Sequence, residues 1–466
     1  MLAVVSDSRA EDSRWSQDNL PADRRKRDLL VRRHGGDWTA RVRWASSQPP
    51  PRRATEKATE LLAAWRTTVD PYGQGLFDRR LGRDGLSEGQ ALLVMGDDGD
   101  PSEPEPDWWS TYRSLVSVFD AEDAWVGTDE DWLERMSAEI PAGTGSSVPF
   151  VHLLWPVVAD AWDRLASVHD SLFATVTPVA ADHLRRGLLV RLSMVATPCL
   201  SDLMWQSVPF GRRFLAESGP VQDNPPREHY ARFCRAQADD GLSSVLTRFP
   251  VLGGLLARVV QQWARVTVEM LERLAVDRPA LAAKLGIPQD APLTEAMGAA
   301  GDTHNAGRSV SILGFGDTRV VYKPRSVALE ELYHRHAMAL STLTPDDPLR
   351  AVAVLARTDA DGDYGYCEYV SRQPCTTDDE LRRFYRNAGR TLALLHVLAA
   401  TDCHHENLIA VGDQLVPVDG ETLFDTAPPP TVPQSATADA SNANGIPASV
   451  QRVGILPTWL WLDGRR

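Results

Sequence analysis

The stretch RSVSILGFGDTRVVYKPRS (308–326) is where this chain changes character. Two β-rich runs, SVSILGF and TRVVYKP, flank the glycines Gly314 and Gly316, a pattern that predicts a hairpin. Beyond it, ALEELYHRHAMALSTL (328–343) predicts a helix, and RAVAVLARTD (350–359) and YGYCEYV (364–370) predict strands. DELRRFYRNAGRTLALLHVLAA (379–400) then predicts a long amphipathic helix. DCHHENLIA, VGDQL and VPVDGETLF read as a loop, a tight turn and a short strand ending in acids. This order predicts an α+β chain in which a small β-lobe is joined to a helical lobe.

Toward the N-terminus the chain is mainly helical. Apolar residues recur at helical spacing over 54–78, 105–137, 151–200 and Tyr230–Leu285, with the turn-rich GDDGDPSEPEPD (96–107) between the first two. Residues 1–50 show little periodicity, and the RRKR run (24–27) reads as solvated surface. Trp108, Trp109, Trp155, Trp162, Trp205 and Trp263 read as core. At the other end, the Pro/Ala/Ser-rich stretch 425–449 reads as a flexible loop. VQRVGILPTWLWLDGRR (450–466) is an apolar tail whose Trp459, Leu460, Trp461 and Leu462 need cover. The expected organisation is a helical region 1–200, a helical part 201–300, a core 301–424, the loop 425–449 and a late segment 450–466.

Composition narrows the function. The 49 basic and 63 acidic residues sum to −14, which argues against binding a nucleic-acid duplex through an overall positive field. The five cysteines are scattered with no CxxC pair, so neither a disulfide scaffold nor a zinc knuckle is supported and a reducing compartment fits. The opening MLAVVSDSRAEDS lacks the basic start and long apolar core of a signal peptide. VPFVHLLWPVVADAW (148–162) is broken by His, Pro and Asp before a spanning length. A cytoplasmic chain is expected, with no membrane insertion and no nucleic-acid partner.

Three groups of residues can carry chemistry. Lysine occurs at only four positions, and Lys323 ends the strand-like VVYK. It is either a snorkelling strand-end lysine or a compact point charge suited to phosphate oxygens. Asp402, His404, His405, Glu406 and Asn407 form the second cluster, with Asp402 and Asn407 five apart as in the D-x-x-x-x-N of a kinase catalytic loop. Asp419, twelve residues after Asn407, follows a short apolar strand and precedes Glu421. An Asp can orient a hydroxyl, while an Asn and a second Asp hold magnesium on a triphosphate. A zinc site built on Asp402, His404, His405 and Glu406 lacks HExxH spacing and a separated third ligand. Asp302 and His304, in GDTHN, make either an acid–base pair or a solvated turn; Arg452 either meets a phosphate or caps a turn.

Taken in series, GDTHNAGRSV (301–310), VVYKPRS (320–326), YGYCEYV (364–370), TDCHHENLIA (401–410) and VPVDGETLF (416–424) resemble the N-terminal dehydratase domain of class II lanthipeptide (lantibiotic) synthetases. The resemblance covers 200–466 well and the first 200 residues loosely. It implies a lipid-kinase-like core with added helices, and a ribosomally made precursor peptide bound through its leader. It also implies Mg-ATP-dependent phosphorylation of Ser and Thr, then phosphate elimination to dehydroalanine and dehydrobutyrine. By motif, Lys323 would hold ATP, Asp402 and His404 would serve phosphoryl transfer, and Asn407 and Asp419 would hold Mg2+. Asp302 and His304 match a second motif facing the phosphorylated residue, Arg452 falls in a segment tied to elimination, and Glu406 and Glu421 match with less defined roles.

The chain departs from the family pattern in three ways. Gly420 stands where a bulky apolar residue is usual, which predicts a loosened strand at Asp419. Val453 follows the late arginine where Thr is common. The chain also stops where the helical lobe would continue, so an incomplete C-terminal lobe and no zinc cyclase in this chain are expected; a fragment, a truncated or frame-shifted gene product and half of a split enzyme completed by a companion chain stay open as readings. The rival readings are a leader-binding fragment with impaired catalysis and a phosphotransferase without elimination.

Overall fold

A computed structural model describes residues 22–35, 38–51, 54–95, 105–120, 127–144, 147–208, 227–298, 306–424 and 450–457. The architecture is mixed α+β: a large helical N-terminal region and a smaller sheet-containing C-terminal region, consistent with a bilobal kinase-like arrangement. Two compact units can be told apart, Met1–His169 with Arg185–Arg265 and Asp170–Leu184 with Val266–Arg466. The 425–449 stretch and the Trp459–Leu462 tail lie outside the described residues.

In the first unit, amphipathic helices bury an aromatic-rich core. Trp108, Trp109 and Tyr112 are buried with Trp155, Leu188, Leu189, Leu192 and Leu246, and Trp109 stacks on Tyr112 at 4.9 Å. The start of the helix Asp129–Glu139 is fixed by a capping box, in which Thr128 and Asp131 satisfy each other's backbone N–H. A smaller core of Val42, Leu62, Phe77, Leu81 and Val94 lies among helices in the first hundred residues.

Two sequence expectations need correction here. Arg27 of the RRKR run is buried; it donates to Asp28 at 2.7 Å and to the Gly241 carbonyl, while Arg24 pairs with Asp120. A buried guanidinium is tolerable because it is paired, and only Arg25 and Lys26 of the run are exposed. Trp205 is 44% exposed rather than core. The helix Pro178–Ser207 is, by length and composition, long and apolar enough to cross a membrane, although Leu188, Leu189, Leu192, Ala196 and Leu200 on it are buried in the core.

The second unit holds a five-stranded antiparallel sheet: β1 (Glu295–Met297), β2 (Ser311–Phe315), β3 (Thr318–Lys323), β4 (Val354–Asp359) and β5 (Gly362–Glu368), in the order β1-β2-β3-β5-β4. The β2–β3 hairpin turns at Gly316–Asp317, as the sequence predicts, and pairs Ser311 with Tyr322. The three-residue β1 is too short to leave a period-two signal. β6 (Leu408–Val411) and β7 (Gln414–Pro417) form a separate hairpin, so part of the segment read as a loop is strand.

Charged pairs tie one sheet face to the helix Pro250–Leu285, whose part from Val266 onward belongs to this unit. Arg273 donates to Tyr322 Oη at 2.9 Å and to both Asp359 oxygens, and it pairs with Glu269. Glu269 also takes a two-point contact from Arg308, and Asp277 accepts from Arg357 Nε at 2.6 Å and Tyr364 Oη at 2.8 Å. Across the other face, Val321, Val354 and Cys367 pack with Val327 and with Val411, Val416 and Val418 of the hairpin segment.

Candidate functional site

Lys323 is the last residue of β3, on the side of the strand shared by Val321. It is 3% exposed, and its ammonium donates to three oxygens: Glu330 Oε1 at 2.9 Å, the Val418 carbonyl at 2.9 Å and Asp419 Oδ1 at 3.2 Å. Burying a charge this completely is costly unless it is paired and hydrogen-bonded, and here all three N–H groups are used. The snorkelling alternative does not describe this lysine.

Glu330 reaches Lys323 from the first turn of the helix Ala328–Ser341. A missing side chain sets its approach. Gly365 on β5 lies directly across from Lys323, and a Cβ there would collide with Val327 Cγ2 and sit 2.7 Å from the Leu355 carbonyl. Val327, fully buried at the helix start, therefore rests on the sheet where a side chain would stand, and Glu330 follows one turn later. Burial raises the affinity of the Glu330 carboxyl for its proton, but Lys323 and Arg325 outweigh this and hold it below the usual carboxylate value. Arg325 bridges the same acids: its Nη2 lies 2.8 Å from Glu330 Oε1 and contacts Asp419 Oδ1, and its Nε is 3.3 Å from Glu421 Oε2.

The spacing of Asn407 and Asp419 follows from the hairpin. With Gly412–Asp413 at the turn, the β6–β7 register pairs Leu408 with Pro417, and the ladder continues as Val418 N–H to the Asn407 carbonyl at 3.0 Å. Asp419 thus emerges beside Asn407 at the open end. Gly420 has a packing role in this segment that the sequence expectation did not include. It is buried, and a Cβ on it would lie 3.2 Å from Glu330 Cγ and 3.3 Å from Glu330 N, so the glycine lets the acid-bearing strand close on the Glu330 helix.

The helix Asp378–Val397 leads into the remaining cluster. Its end is closed by Ala400 N–H to the Leu395 carbonyl, with Ala399 at φ 50°, and the loop starts two residues on. Asp402 has φ 57°, a left-handed conformation that Asp tolerates better than most residues. Asn407 Nδ2 donates to the Asp402 carbonyl at 2.9 Å, and the Glu406 N–H donates to His404 Nδ1 at 3.2 Å. His404 Nε2 lies 3.6 Å from Asp402 Oδ1, with both side chains solvent-accessible. His405 and Glu406 point to solvent, 87% and 74% exposed. The 3-10 turn Val450–Val453 docks here, because Cys403 N–H donates to the Val453 carbonyl at 2.9 Å. Arg452 is therefore carried on a turn held beside Asp402.

One end of the sheet thus gathers Lys323, Asn407 and Asp419, with Glu421 at its edge and the Asp402–His404 loop and Arg452's turn adjoining. Asp302 and His304 lie outside the described residues, though Arg308, a few positions later, is anchored on Glu269. Sequence reading missed Glu330 and Arg325. The available signal was an acid seven residues after the lysine, in the first turn of the next helix. Among the described residues, no group of three or more His, Cys, Asp or Glu is arranged to hold a metal ion. The five cysteines are unpaired.

Residues 249–466 match the family described as Domain of unknown function (DUF4135). Over 248 residues, 52% of this chain, it is 25% identical to the Lacticin 481/lactococcin biosynthesis protein LcnDR2 of Lactococcus lactis subsp. lactis. The chain spans about a quarter (26%) of the length of that curated relative.

Proposed function

We propose that this chain is a lanthipeptide dehydratase of the class II type, which phosphorylates Ser and Thr of a ribosomally made precursor peptide with ATP and then eliminates the phosphate. One juxtaposition carries the reading. A buried strand-end lysine is paired with a glutamate on the following helix and lies 3.2 Å from an acid whose strand is bonded to Asn407 of the D-x-x-x-x-N loop. The arrangement resembles the lysine, D-x-x-x-x-N loop and metal acid of a kinase-type phosphoryl-transfer site, and it supports a lipid-kinase-like core. The similarity to a lacticin biosynthesis protein supports a peptide as the acceptor.

In this reading Lys323 holds ATP phosphates, with Glu330 keeping its ammonium in place. Asp402, assisted by His404, orients the acceptor hydroxyl. Asn407 and Asp419 would hold Mg2+: an amide oxygen and a carboxylate are the hard donors this ion takes, and it would neutralise phosphate charge. For elimination a base removes the α-proton, the Cβ–O bond breaks, and the electron pair forms the Cα=Cβ bond as phosphate leaves. Asp302 and His304 are the residues proposed to face the phosphorylated side chain, with Arg452 as the cation for the departing phosphate. Glu406 and Glu421 sit at the rim. The peptide would be held through its leader, in the cytoplasm.

Intact-mass spectrometry of a Ser/Thr-containing class II lanthipeptide precursor, incubated with the chain, ATP and magnesium, tests the proposal. Loss of water that is absent with Lys323→Ala supports it. A stable gain of phosphate would replace it with a phosphotransferase lacking elimination. Precursor binding with no mass change, by folded protein, would leave a leader-binding chain in its place.

A further inference from the structure

The cations and acids at the site are unequally matched. Two side-chain oxygens, Glu330 Oε1 and Asp419 Oδ1, are each contacted by both Lys323 and Arg325. Lys323 has spent its three N–H groups on these two oxygens and the Val418 carbonyl. In this arrangement it has no donor left for a phosphate. Glu330, Asp419 and Glu421 bring three negative charges against the two cations, so the cluster carries a net −1.

The two cations differ in freedom. The Lys323 side chain is 4% exposed and enclosed at the strand end, whereas that of Arg325 is 24% exposed, on the segment between β3 and the following helix. Its outer contact is Glu421, 48% exposed at the rim. Arg325 can therefore leave by rotating its own side chain, and Lys323 cannot. Any cation that takes Asp419 Oδ1 removes one partner from each.

We propose that Arg325 is an internal counter-ion that occupies Asp419 until a divalent cation displaces it, and that the freed guanidinium then binds phosphate of the incoming nucleotide. The inference rests on Asp419 being the metal-binding acid and adds a residue that sets when the site can be loaded. The exchange balances in charge: the ion takes the carboxylate, Lys323 regains a donor, and Arg325 turns to the anion that arrives with the metal. A fork-shaped guanidinium suits two phosphate oxygens better than a second ammonium would.

Mn2+ binding without nucleotide, read by electron paramagnetic resonance on the full chain, is the test. Arg325→Gln removes the competing cation and should tighten Mn2+ about five- to tenfold, the size of one part-buried ion pair. The same variant should weaken inorganic tripolyphosphate binding in the presence of Mn2+. A purely structural role for Arg325 would loosen the metal, not tighten it. Arg325→Lys retains the charge and should leave Mn2+ affinity within about twofold of wild type, and this variant stands in should Arg325→Gln fail to fold. Unchanged or weaker Mn2+ binding by Arg325→Gln, or tightening by Arg325→Lys equal to that expected for Gln, overturns the proposal. Asp419→Asn separates it from the reading beneath: if that variant binds Mn2+ as wild type does, Asp419 is not the metal acid and both fall.

Discussion

Replacing Glu330 with Gln tests the geometry at its most buried ion pair. The Glu330 carboxylate is 3% exposed and accepts from Lys323 at 2.9 Å and Arg325 at 2.8 Å through one oxygen. Removing one partner of a buried pair costs roughly 3–5 kcal/mol, because the other charge is left uncompensated. Gln keeps one acceptor, and Lys323 retains Asp419 and the Val418 carbonyl, so the expected cost falls to ~2–3 kcal/mol. The sign of the pH dependence follows from the lowered carboxyl. A carboxylate held below its unfolded value stabilises the fold above about pH 4.3, and that contribution fades as pH falls through the folded value.

Amide hydrogen exchange over 318–341 is the suitable assay, since a chain of two compact units need not have a single unfolding midpoint. At pH 7, Glu330→Gln should lose about 30- to 150-fold in protection across β3 and the following helix. The gap to wild type should narrow toward pH 4, each protein referenced to its intrinsic exchange rate. Equal protection at pH 7, or a gap of the same size at both pH values, would refute the assignment of Glu330 as the charged partner of Lys323.

Gly365→Ala should destabilise by roughly 1–3 kcal/mol, the range for overpacking, because the added Cβ meets Val327 and the Leu355 carbonyl; hydrogen exchange across the sheet reads the loss, which should be absent for Gly389→Ala, where a Cβ meets nothing. Ala399→Gly should stabilise by about 1 kcal/mol, since Ala399 at φ 50° stands where glycine is free of the left-handed penalty; unchanged or lower exchange protection over 378–400 would count against it. Burial pushes the Cys367 thiol up to about 12 and the Cys403 thiol up to about 11, the latter with added repulsion from Asp402 and Asp419. Both should resist iodoacetamide at pH 8 in the folded chain, with about 1,000-fold and about 100-fold less thiolate than an ordinary cysteine, and react on unfolding.

Much of the second unit was legible because its strands obey local rules. The β2–β3 hairpin, the 378–397 helix and the turn at Gly412–Asp413 each leave a signature within a few residues. The long helices of the first unit are legible by the same periodicity. What stayed hidden depends on partners far along the chain. Arg27 looks like surface in RRKR because, although Asp28 stands beside it, nothing nearby in sequence announces the Gly241 carbonyl, 214 residues on, that accepts from it in the core. Arg273 and Asp277 look like the polar face of a helix, and only the sheet supplies Tyr322, Asp359, Arg357 and Tyr364 to receive them.

Gly420 shows what a local rule leaves out. Read along the strand, a glycine after Asp419 removes a side chain and adds backbone freedom, which argues for a looser acid. Read across the fold, the same vacancy is filled by Glu330, whose N and Cγ would stand 3.3 and 3.2 Å from an added Cβ. A side chain at this position would press on the helix's first turn, and its absence is what permits so close an approach. Gly365 acts the same way from the sheet side, admitting Val327. The two glycines flank one element: Gly365 lets the start of the 328–341 helix rest on β5, and Gly420 lets the acid-bearing strand come up to the helix's first turn. Lys323 can then share Glu330 and Asp419 within 3.2 Å because the surrounding backbone has been thinned at two points. A larger residue at position 420 would serve a site in which the acid stands further from this helix, and a smaller one draws the acid onto the lysine–glutamate pair.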